Sequence, residues 1–428
     1  MSIQQEDLLG ERPPSHWVVT RLGRLGRWGK GYGGSKKDNQ ESGIPVVRYG
    51  DLYTTFQTTI EHPVAYVSSE DADRYAPLHP GTLVFTASGE DPEEIGKAAV
   101  SMLPDPAVVG GDAITLEPDG DVDPLFLAYG IQAHPLRTHR ALRSTGFTVV
   151  HISAAKLKTI PLALPPLGEQ RAIADFLNRE TAKIDALIEK QNELISLLRE
   201  RRGAAVQHRL DVFSAEHSTI ALGYVIGSID QGASPSCATW PVANPATDWC
   251  VLKVGCVNYG VFRPDENKAL LDLEYADPKH AVQAGDVVVS RGNTRELVGS
   301  AAHVPTHLPR ALLSDLLYRV RTRSDLYDPQ FLATVLGSRH ARDQIELEAR
   351  GSSHTMPKIS QAVLRKLQVP HIPLAEQRAL QTSIAAETAK IDALIAKAEE
   401  HIALAQERRA ALITAAVTGQ LDIPGETN

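Results

Sequence analysis

Two long stretches of the chain place their apolar residues at steps built from three and four positions. One runs from Leu167 to about Leu210, and the other from Leu374 to about Thr418. Such spacing predicts two long, coiled-coil-forming helices. The apolar positions of the first are Ile173, Leu177, Ile184, Leu187, Leu194 and Leu198, widened by Ile188 and Ile195. Those of the second are Leu380, Ile384, Ile391, Leu394 or Ile395, Ile402 and Leu412, with the small residues Ala398 and Ala405 between them.

Both predicted helices belong to a repeat that covers nearly the whole chain. Glu180–Ile188 has the same nine residues as Glu387–Ile395, 207 positions later. Upstream, Pro166–Arg171 matches Pro373–Arg378 at the same spacing, and weaker matches extend into the preceding halves. Because one chain carries both copies, we expect the two helices to pack antiparallel on each other. The alternative is a dimerisation coiled coil between two chains.

The segments outside the helices have the pattern of mixed α/β domains. Short β-rich runs, such as Ile44–Tyr49, Thr82–Thr86 and Asp286–Ser290, alternate with turns rich in Gly, Pro and Asp. Asp-Pro pairs predict helical segments over Pro124–Tyr129 and Pro329–Arg342. The expected fold class is α+β, a pseudo-two-fold tandem repeat of two globular domains alternating with two long helices. The expected boundaries are 1–160, 161–212, 213–367 and 368–428.

Composition places the chain among soluble globular proteins and gives only a weak electrostatic signal. The net charge of −8 and the pI near 6.0 argue mildly against nucleic-acid binding, but the charge is uneven. One basic stretch contains Arg21, Arg24, Arg27, Lys30, Lys36 and Lys37, and a second contains Arg319, Arg321, Arg323, Arg339, Arg342 and Arg350. Three cysteines without a CxxC pair fit neither a disulfide framework nor a common zinc site. With a polar start that is no signal peptide and no long apolar run, we expect a cytoplasmic protein.

The motifs of cofactor and catalytic sites are absent or out of context. Gly29–Gly34 satisfies G-x-G-x-x-G, but the polar stretch Ser35–Gln40 follows it where a dinucleotide site needs a helix. That segment is interpreted either as a loop that touches DNA phosphate or as a plain surface loop. No phosphate-binding P-loop, H-E-x-x-H or nucleophile elbow is present. The acidic run Glu90–Glu94 is interpreted as a solvated loop, and neither a catalytic nor a metal site is expected.

The duplicated helix motif resembles a known family. Pro-Leu-x-Glu-Gln-Arg followed by Glu-x-x-x-Lys-Ile-Asp-x-Leu-Ile, present twice, is similar to the specificity subunit of type I restriction–modification systems. Gly43–Asp51, Gly285–Asn293 and Gly351–Ser360 resemble stretches of that family's target recognition domains. The likeness covers nearly the whole chain. One departure is Cys256, which stands where the first copy has Asp51.

The resemblance implies a non-catalytic DNA-recognition subunit. Residues 1–160 and 213–367 would be target recognition domains, each reading one half of a bipartite, asymmetric double-stranded DNA site. The helices would fix the gap between the halves and dock two methyltransferase subunits, and motor-nuclease subunits would join them. No cofactor is expected in this chain, because S-adenosylmethionine belongs to the methyltransferase, and ATP and Mg to the motor-nuclease. The rival hypothesis is a coiled-coil scaffold whose globular domains bind other proteins.

Candidate contact residues follow from side-chain chemistry, since Arg, Lys, Asn, Gln and Ser on loops are the usual readers of DNA. The DNA-binding candidates are Lys36, Lys37, Arg48, Tyr49, Ser144, Lys253, Asn258, Tyr259, Arg291, Asn293, Ser352 and Ser353. The partner-docking candidates, which are the same residues in both copies, are Gln170, Arg171, Lys183, Asp185, Gln377, Arg378, Lys390 and Asp392. The alternative for the latter set is that these shared residues hold the two helices together.

Overall fold

The computed structural model describes residues 12–146, 149–214, 217–349 and 356–423. The chain forms two compact units. The first unit comprises Met1–Lys190 and His401–Asn428, and the second comprises Gln191–Glu400. Each unit therefore contains one globular part and a segment of each long helix. None of the helices in the described ranges combines the length and hydropathy that a membrane crossing requires.

Short strands build the globular part of the first unit. They are β1 (Val18–Arg21), β2 (Gly26–Lys30), β3 (Ile44–Val47), β4 (Thr59–Ile60), β5 (Ala65–Val67), β6 (Ala76–Pro77), β7 (Leu83–Thr86), β8 (Ser88–Gly89), β9 (Ala98–Ser101), β10 (Val108–Val109), β11 (Ala113–Pro118), β12 (Val150–His151) and β13 (Pro161–Leu164). One sheet has the order β2-β11-β7-β9-β4, and a second has the order β5-β3-β10-β6. Two ribbons pair β1 with β13 and β8 with β12. Pairing is antiparallel except between β3 and β10 and between β4 and β9.

Helices cover these sheets and close the core of the first unit. They are α1 (Tyr49–Thr54), α2 (Ser69–Ala72), α3 (Pro124–Gln132), α4 (His134–Arg143), α5 (Ala154–Leu157) and the beginning of α6 (Leu167–Ser214). The predicted start of α3 is confirmed, because Asp123 caps it by accepting hydrogen bonds from the amides of Leu125 and Phe126. Phe85 and Tyr129 are among the largest side chains of the core.

The second unit repeats this arrangement, with fewer strands among its described residues. Its strands are β14 (Thr219–Ala221), β15 (Ile226–Gln231), β16 (Cys250–Leu252), β17 (Asn267–Ala269), β18 (Val287–Ser290), β19 (Ala301–His303), β20 (Ala311–Leu313), β21 (Leu317–Thr322) and β22 (Gln368–Pro370). Its helices are α7 (Pro329–Leu336), α8 (Arg339–Glu348), α9 (Gln361–Lys366) and α10 (Leu374–Val417). The sheet β15-β21-β18-β19 corresponds to β2-β11-β7-β9, and the sheet β17-β16-β20 corresponds to β5-β3-β10. The repeat predicted from the sequence is therefore a repeat of fold.

The two long helices pair antiparallel within each unit, as predicted. In the second unit Arg199 contacts Glu399 at 3.0 Å, and Arg209 contacts Glu387 at 2.7 Å, so one residue number rises as the other falls. In the first unit the segment around Leu177 shares a core with the segment around Ile413. The helices thus pair inside one chain, and the alternative of a dimerisation coiled coil is not needed to bury their apolar faces.

The predicted apolar seam is partly wrong. Ile173, Leu177 and Leu198 are buried, but Leu187 and Leu194 are 48% and 43% exposed, and Ile195 takes the buried position. In α10 the sequence left open whether Leu394 or Ile395 occupies the buried seam position. Ile395 does, since it is buried. The physical reason is that a straight helix drifts by about 20° per seven residues relative to a 3.5-residue repeat. The buried face of α6 therefore includes Ile195 in place of the predicted Leu194.

Candidate nucleic-acid interface

In the first unit, three of the predicted DNA residues lie around one exposed turn. Lys36 and Lys37 are exposed on a 3₁₀ turn, Lys36–Asp38. The Ser35 hydroxyl accepts from the Lys37 amide at 3.1 Å, and the Asp38 carboxylate accepts from the Ser35 amide at 2.8 Å. These two bonds hold the lysines in one local conformation with their ammonium groups in solvent.

Arg48 supports this turn instead of projecting freely. Its guanidinium donates to the Ser35 carbonyl at 3.0 Å and to the Tyr75 hydroxyl at 3.2 Å. The Tyr75 hydroxyl in turn donates to Asp38 at 2.9 Å. The hydrogen bonds from the Ser35 amide and from Tyr75 lower the pKa of the Asp38 carboxyl. Arg48 is therefore placed next to the lysine turn as its support, while Tyr49, the first residue of α1, is partly exposed.

A second exposed segment of the first unit is the loop between β7 and β9. Asp91 caps a single turn there, accepting from the Glu93 amide at 2.8 Å on its carboxylate and from the Ile95 amide at 3.1 Å on its carbonyl. The buried Arg140 donates to the Ile95 carbonyl at 2.8 Å, and burial lowers the pKa of this arginine to about 10. Glu90 and Glu93 lie exposed at the tip, as expected for a solvated acidic loop.

The second unit has the same loop with different chemistry. Between β18 and β19 the Val298 amide donates to the Thr294 carbonyl at 2.8 Å. Arg342 donates to the Val298 carbonyl and, at 3.0 Å, to the Glu296 carbonyl. Arg295 is exposed at this tip, where the first unit presents carboxylates. The two loops therefore share a backbone frame held by a buried or half-buried arginine, and they differ in the charge that they present.

Several predicted DNA residues of the second unit meet beside this loop. The Asn293 side chain donates to the Asn258 carboxamide oxygen at 3.2 Å and is only 7% exposed, so it is mainly structural. Tyr259 has a positive φ of 61° and is about half exposed. The Arg199 guanidinium of α6 lies 4.2 Å from the centre of its ring. Arg291 donates to the Asp315 carbonyl at 3.2 Å.

The remaining DNA candidates do not join these groups. Lys253 pairs with Glu266 at 3.1 Å. Ser144 donates to the Ala141 carbonyl at 2.7 Å at the end of α4, so its hydroxyl satisfies a helix terminus. The predictions for Ser352 and Ser353 lie outside the described residues.

Two arginines of the second predicted basic stretch form ion pairs within the second unit, and Arg350 of that stretch lies outside the described residues. Arg319 is buried and pairs with Asp230 at 2.9 Å, and it also donates to the Ala281 carbonyl at 2.9 Å. Arg321 pairs with Asp286 at 2.8 Å. A run of arginines in the sequence does not show whether their side chains are free or ion-paired, because the carboxylates that pair with them come from distant strands and loops. Among the described residues, no group of three or more His, Cys, Asp or Glu side chains could hold a metal ion.

Two of the predicted docking residues, Gln170 and Gln377, have buried side chains. Gln170 accepts from the Asp123 amide at 2.8 Å and donates to the carbonyls of Asp121 and Pro165 at 3.1 and 2.9 Å. Gln377 makes the same three kinds of bond in the second unit: it accepts from the Asp328 amide at 2.8 Å, and it donates to the carbonyls of Leu326 and Ile372 at 2.9 and 2.7 Å. We call each arrangement a glutamine clasp. It ties the first turn of a long helix to the segment that precedes α3 or α7.

Asp185 and Asp392 also serve the helix pair. Arg409 contacts Asp185 at 3.0 Å in the first unit, and Arg202 contacts Asp392 at 2.6 Å in the second. These are equivalent positions of the repeat, so for the aspartates and the glutamines the alternative of an internal structural role is favoured. The other four docking candidates, Arg171, Lys183, Arg378 and Lys390, are exposed.

The sequence analysis did not recognise that Arg140 and Arg342 support the two loops, or which groups bond to Gln170 and Gln377 in the clasps. Arg140 lies in a basic, polar segment, His134–Arg143, that has no feature marking one arginine as buried. A signal did exist for the clasps, since Asp123 and Asp328 precede matched prolines at nearly the same distance from the duplicated glutamines.

Comparison with known proteins finds relatives among the specificity subunits of type I restriction enzymes. The family described as Type I restriction modification DNA specificity domain matches residues 14–197. The EcoEI specificity subunit of Escherichia coli is 29% identical over 156 residues, 36% of this chain, and the match spans only about a quarter (26%) of that subunit. The EcoKI specificity subunit of Escherichia coli (strain K12) is 22% identical over 348 residues, 77% of this chain and 73% of that subunit.

A solved structure shows the same fold. It comes from work on complex assembly and conformational transition of the type I R-M system, is 18% identical, and aligns over 96% of this chain and 100% of that chain with a TM-score of 0.51. At this identity the likeness concerns the fold alone. Together with the family match and the relatives that carry the specificity-subunit name, it supports the resemblance found in the duplicated helix motif. Residues 14–197 of this chain thus match the type I restriction–modification DNA specificity domain, and the relatives that it resembles are specificity subunits of type I restriction enzymes.

Proposed function

We propose that this chain is the DNA-recognition subunit of a type I restriction–modification complex and has no catalytic site of its own. Each globular part contacts one half of a bipartite, asymmetric site in double-stranded DNA. The observation that carries the proposal is the duplicated unit: two copies of one fold, each of which presents an exposed loop on a backbone that hydrogen bonds hold in place. The match of residues 14–197 to the type I DNA specificity domain supports it.

We assign DNA contact to the exposed members of the predicted set and a supporting role to the engaged ones. In the first unit Lys36, Lys37 and Tyr49 are accessible, and the two lysines suit phosphate. In the second unit Tyr259 is the most accessible of the described candidates. The engaged residues are Arg48, Ser144, Lys253, Asn258, Arg291 and Asn293, and they hold the surrounding loops in place.

The difference between the two tip loops bears on specificity. Arg295 in the second unit can donate to guanine, whereas the first unit presents carboxylates at the corresponding tip. Two copies of one frame with unlike tips suit an asymmetric site, because each copy then recognises a different half.

The partners and cofactors follow the family expectation. Two methyltransferase subunits dock on the exposed faces of the long helices, and motor-nuclease subunits complete the restricting complex in the cytoplasm. S-adenosylmethionine belongs to the methyltransferase, and ATP and Mg belong to the motor-nuclease. The domain division at 1–160, 161–212, 213–367 and 368–428 remains part of this proposal, with the helices acting as the spacer between half-sites.

Mapping of methylated bases tests the proposal directly. The chain is expressed with the methyltransferase subunit of its own system in a host without other DNA methylation, and the genome is sequenced for modified adenine. We expect one two-part motif, of which one half changes when residues 1–160 are replaced by those of another specificity subunit. A soluble methyltransferase with no methylated motif would favour the rival scaffold hypothesis, which the relatives do not favour.

A further inference from the structure

One tyrosine of the second unit has an uncommon backbone conformation. Tyr259 lies in the turn Val254–Gly260, which follows β16, and its φ is 61°. Residues with a large side chain seldom adopt this left-handed conformation, because the Cβ atom crowds the backbone. Such residues persist only where surrounding contacts hold them, and they cluster at functional sites. The contacts that hold Tyr259 therefore bear on what this turn does.

An arginine of the long helix α6 provides one of these contacts. The guanidinium of Arg199 lies over the ring of Tyr259, 4.2 Å from its centre. A cation in this position is attracted by the negative face of the ring. Although the arginine covers part of the ring, 47% of the tyrosine remains exposed. The stack thus fixes the direction of the ring and leaves part of it accessible.

Glu399 of α10 holds that arginine in place. Its Oε1 atom accepts hydrogen bonds from Arg199 at 3.0 Å and from Arg263 at 3.1 Å. Arg263 belongs to the globular part, between the turn and β17, and its amide donates to the Cys256 carbonyl inside the turn at 2.8 Å. Glu399 therefore joins three segments of the second unit, which are the two long helices and the turn. We call Arg199, Glu399 and Arg263 the arginine–glutamate junction.

The turn continues this connection to the loop between β18 and β19. Asn258, the residue before the tyrosine, accepts on its side-chain oxygen from the Asn293 carboxamide at 3.2 Å. The side-chain oxygen of Asn293 in turn accepts from the Thr294 amide at 2.8 Å. Thr294 is followed by Arg295 at the exposed tip. A continuous series of contacts therefore connects the helix pair to the tip loop within the second unit.

The repeat does not reproduce this junction. The positions that correspond to Arg199 and Glu399 carry uncharged amides in the other copy of the helix. The position that corresponds to Tyr259 carries a threonine, so it offers no ring for a cation. In this order, the corresponding residues are Gln406, Asn192 and Thr54. The junction is thus a feature of the second unit alone.

We infer that Arg199 and Glu399 are positioning residues for DNA recognition by the second unit. Through the arginine–glutamate junction they fix the direction of Tyr259 and the place of the loop between β18 and β19. Discrimination between base pairs needs donors and acceptors that are held in one geometry, because a loosely held side chain can also bond to a wrong base. The inference rests on the proposed function and adds that these two residues set the strictness of only one half-site.

Methylation of single-mismatch duplexes by the full chain with its methyltransferase subunits tests the inference. The duplexes carry the motif found by base mapping, with one base pair changed in either half. Arg199→Gln introduces the residue of the other copy and removes the cation from the ring. We expect discrimination against mismatches to fall about three- to tenfold in the half read by the second unit, as for the loss of one cation–π contact. The half that depends on residues 1–160 should keep its discrimination. Glu399→Gln releases the arginine without removing it and should cause a smaller loss in the same half.

Another arginine of α6 provides the matched control. Arg202 pairs with Asp392 of α10 at 2.6 Å, and no hydrogen bond or ion pair connects it to the turn among the described residues. Arg202→Gln therefore removes an ion pair between the same two helices and should leave the discrimination of both halves unchanged. Because Arg202→Gln and Arg199→Gln each lose one partly exposed ion pair, both should lower the Tm slightly and to a similar extent. A difference in discrimination between them then does not come from stability.

The combined swap Arg199→Glu with Glu399→Arg separates positioning from helix pairing. It restores opposite charges between the two helices, but it places a carboxylate against the ring of Tyr259 and an arginine against Arg263. The Tm should therefore return towards that of the unchanged chain, whereas the discrimination should stay low. If the swap restored the discrimination as well, the helix pair alone would matter and the inference would be overturned.

The outcomes separate the inference from the proposed function. Unchanged discrimination in Arg199→Gln, or an equal loss in both halves, would contradict the inference and leave DNA recognition by the chain intact. A soluble unchanged chain that directs no methylation with its methyltransferase subunits would overturn the proposed function, and the inference with it.

Discussion

The two glutamine clasps allow the same prediction about folding stability to be tested at two equivalent positions of the chain, Gln170 and Gln377. Gln170 and Gln377 are 1% and 0% exposed, and each bonds one amide and two carbonyls of the backbone. Replacement by leucine fills a similar volume but leaves those three groups without their partner. An unsatisfied buried group costs about 1–3 kcal/mol. Carbonyls, which have two lone pairs, are left under-satisfied more often than amides. We therefore expect a loss of about 3 kcal/mol for Gln170→Leu and the same loss for Gln377→Leu.

Calorimetry of the full chain measures this loss. For a unit of about 200 residues, 1 kcal/mol corresponds to about 2–4 °C in Tm, so the affected transition should fall by about 9 °C. Gln406 is exposed on α10, and Gln406→Leu is the matched control, with an expected change below about 0.5 kcal/mol. Shifts under about 2 °C in both clasp variants would refute the argument that these bonds fix the helix starts.

A carboxylate at the same position refines the test. Gln170→Glu keeps the acceptor for the Asp123 amide but turns a second oxygen towards the carbonyls of Asp121 and Pro165. Burial and facing carbonyls both disfavour the charged form and raise the pKa of the new carboxyl. The destabilisation should therefore be largest at neutral pH and should shrink as the pH falls and the carboxyl protonates. Equal destabilisation at pH 7 and pH 5 would contradict the assigned geometry.

Three further predictions concern charge and reactivity. Either single change, Asp185→Arg or Arg409→Asp, should destabilise the helix pair by about 1 kcal/mol, and the combined swap should restore it; a double-mutant cycle with no coupling would contradict the ion pair. The folded pKa of Asp38 is lowered, so its contribution to stability is present above the unfolded pKa and is lost as the pH falls through the folded pKa. The hydrogen-exchange protection factors of the lysine turn, which are corrected for the intrinsic rate at each pH, should therefore fall at acid pH, and Asp38→Asn should remove that dependence. Alkylation of the native chain at pH 8 should modify Cys237 well before Cys250 and Cys256, because these two thiols are buried and burial raises their pKa values further. Equal labelling of the three cysteines by mass spectrometry would refute this order.

Local signals in the sequence were sufficient to predict the long helices, several helix starts and the duplication of the chain. Helical periodicity and the matched motif predicted both long helices, and Asp-Pro pairs predicted the starts of α3 and α7. The segment after Pro329 was expected to be helical to Arg342, but it divides at Gly337 and Ser338 into α7 and α8. Such features depend on residues a few positions apart, which is why periodicity and capping chemistry reveal them.

The roles of individual polar side chains depended on the tertiary structure. Gln170 looked like a surface residue of an exposed helix face, and Arg319 looked like part of a basic patch, yet both are buried against groups far away in the sequence. The same applies to Leu187, whose place in a 3.5-residue pattern predicted burial although it faces solvent. A sequence fixes which residues share a helix face, but the packing partner decides which face is buried and which donors and acceptors are left for DNA or protein.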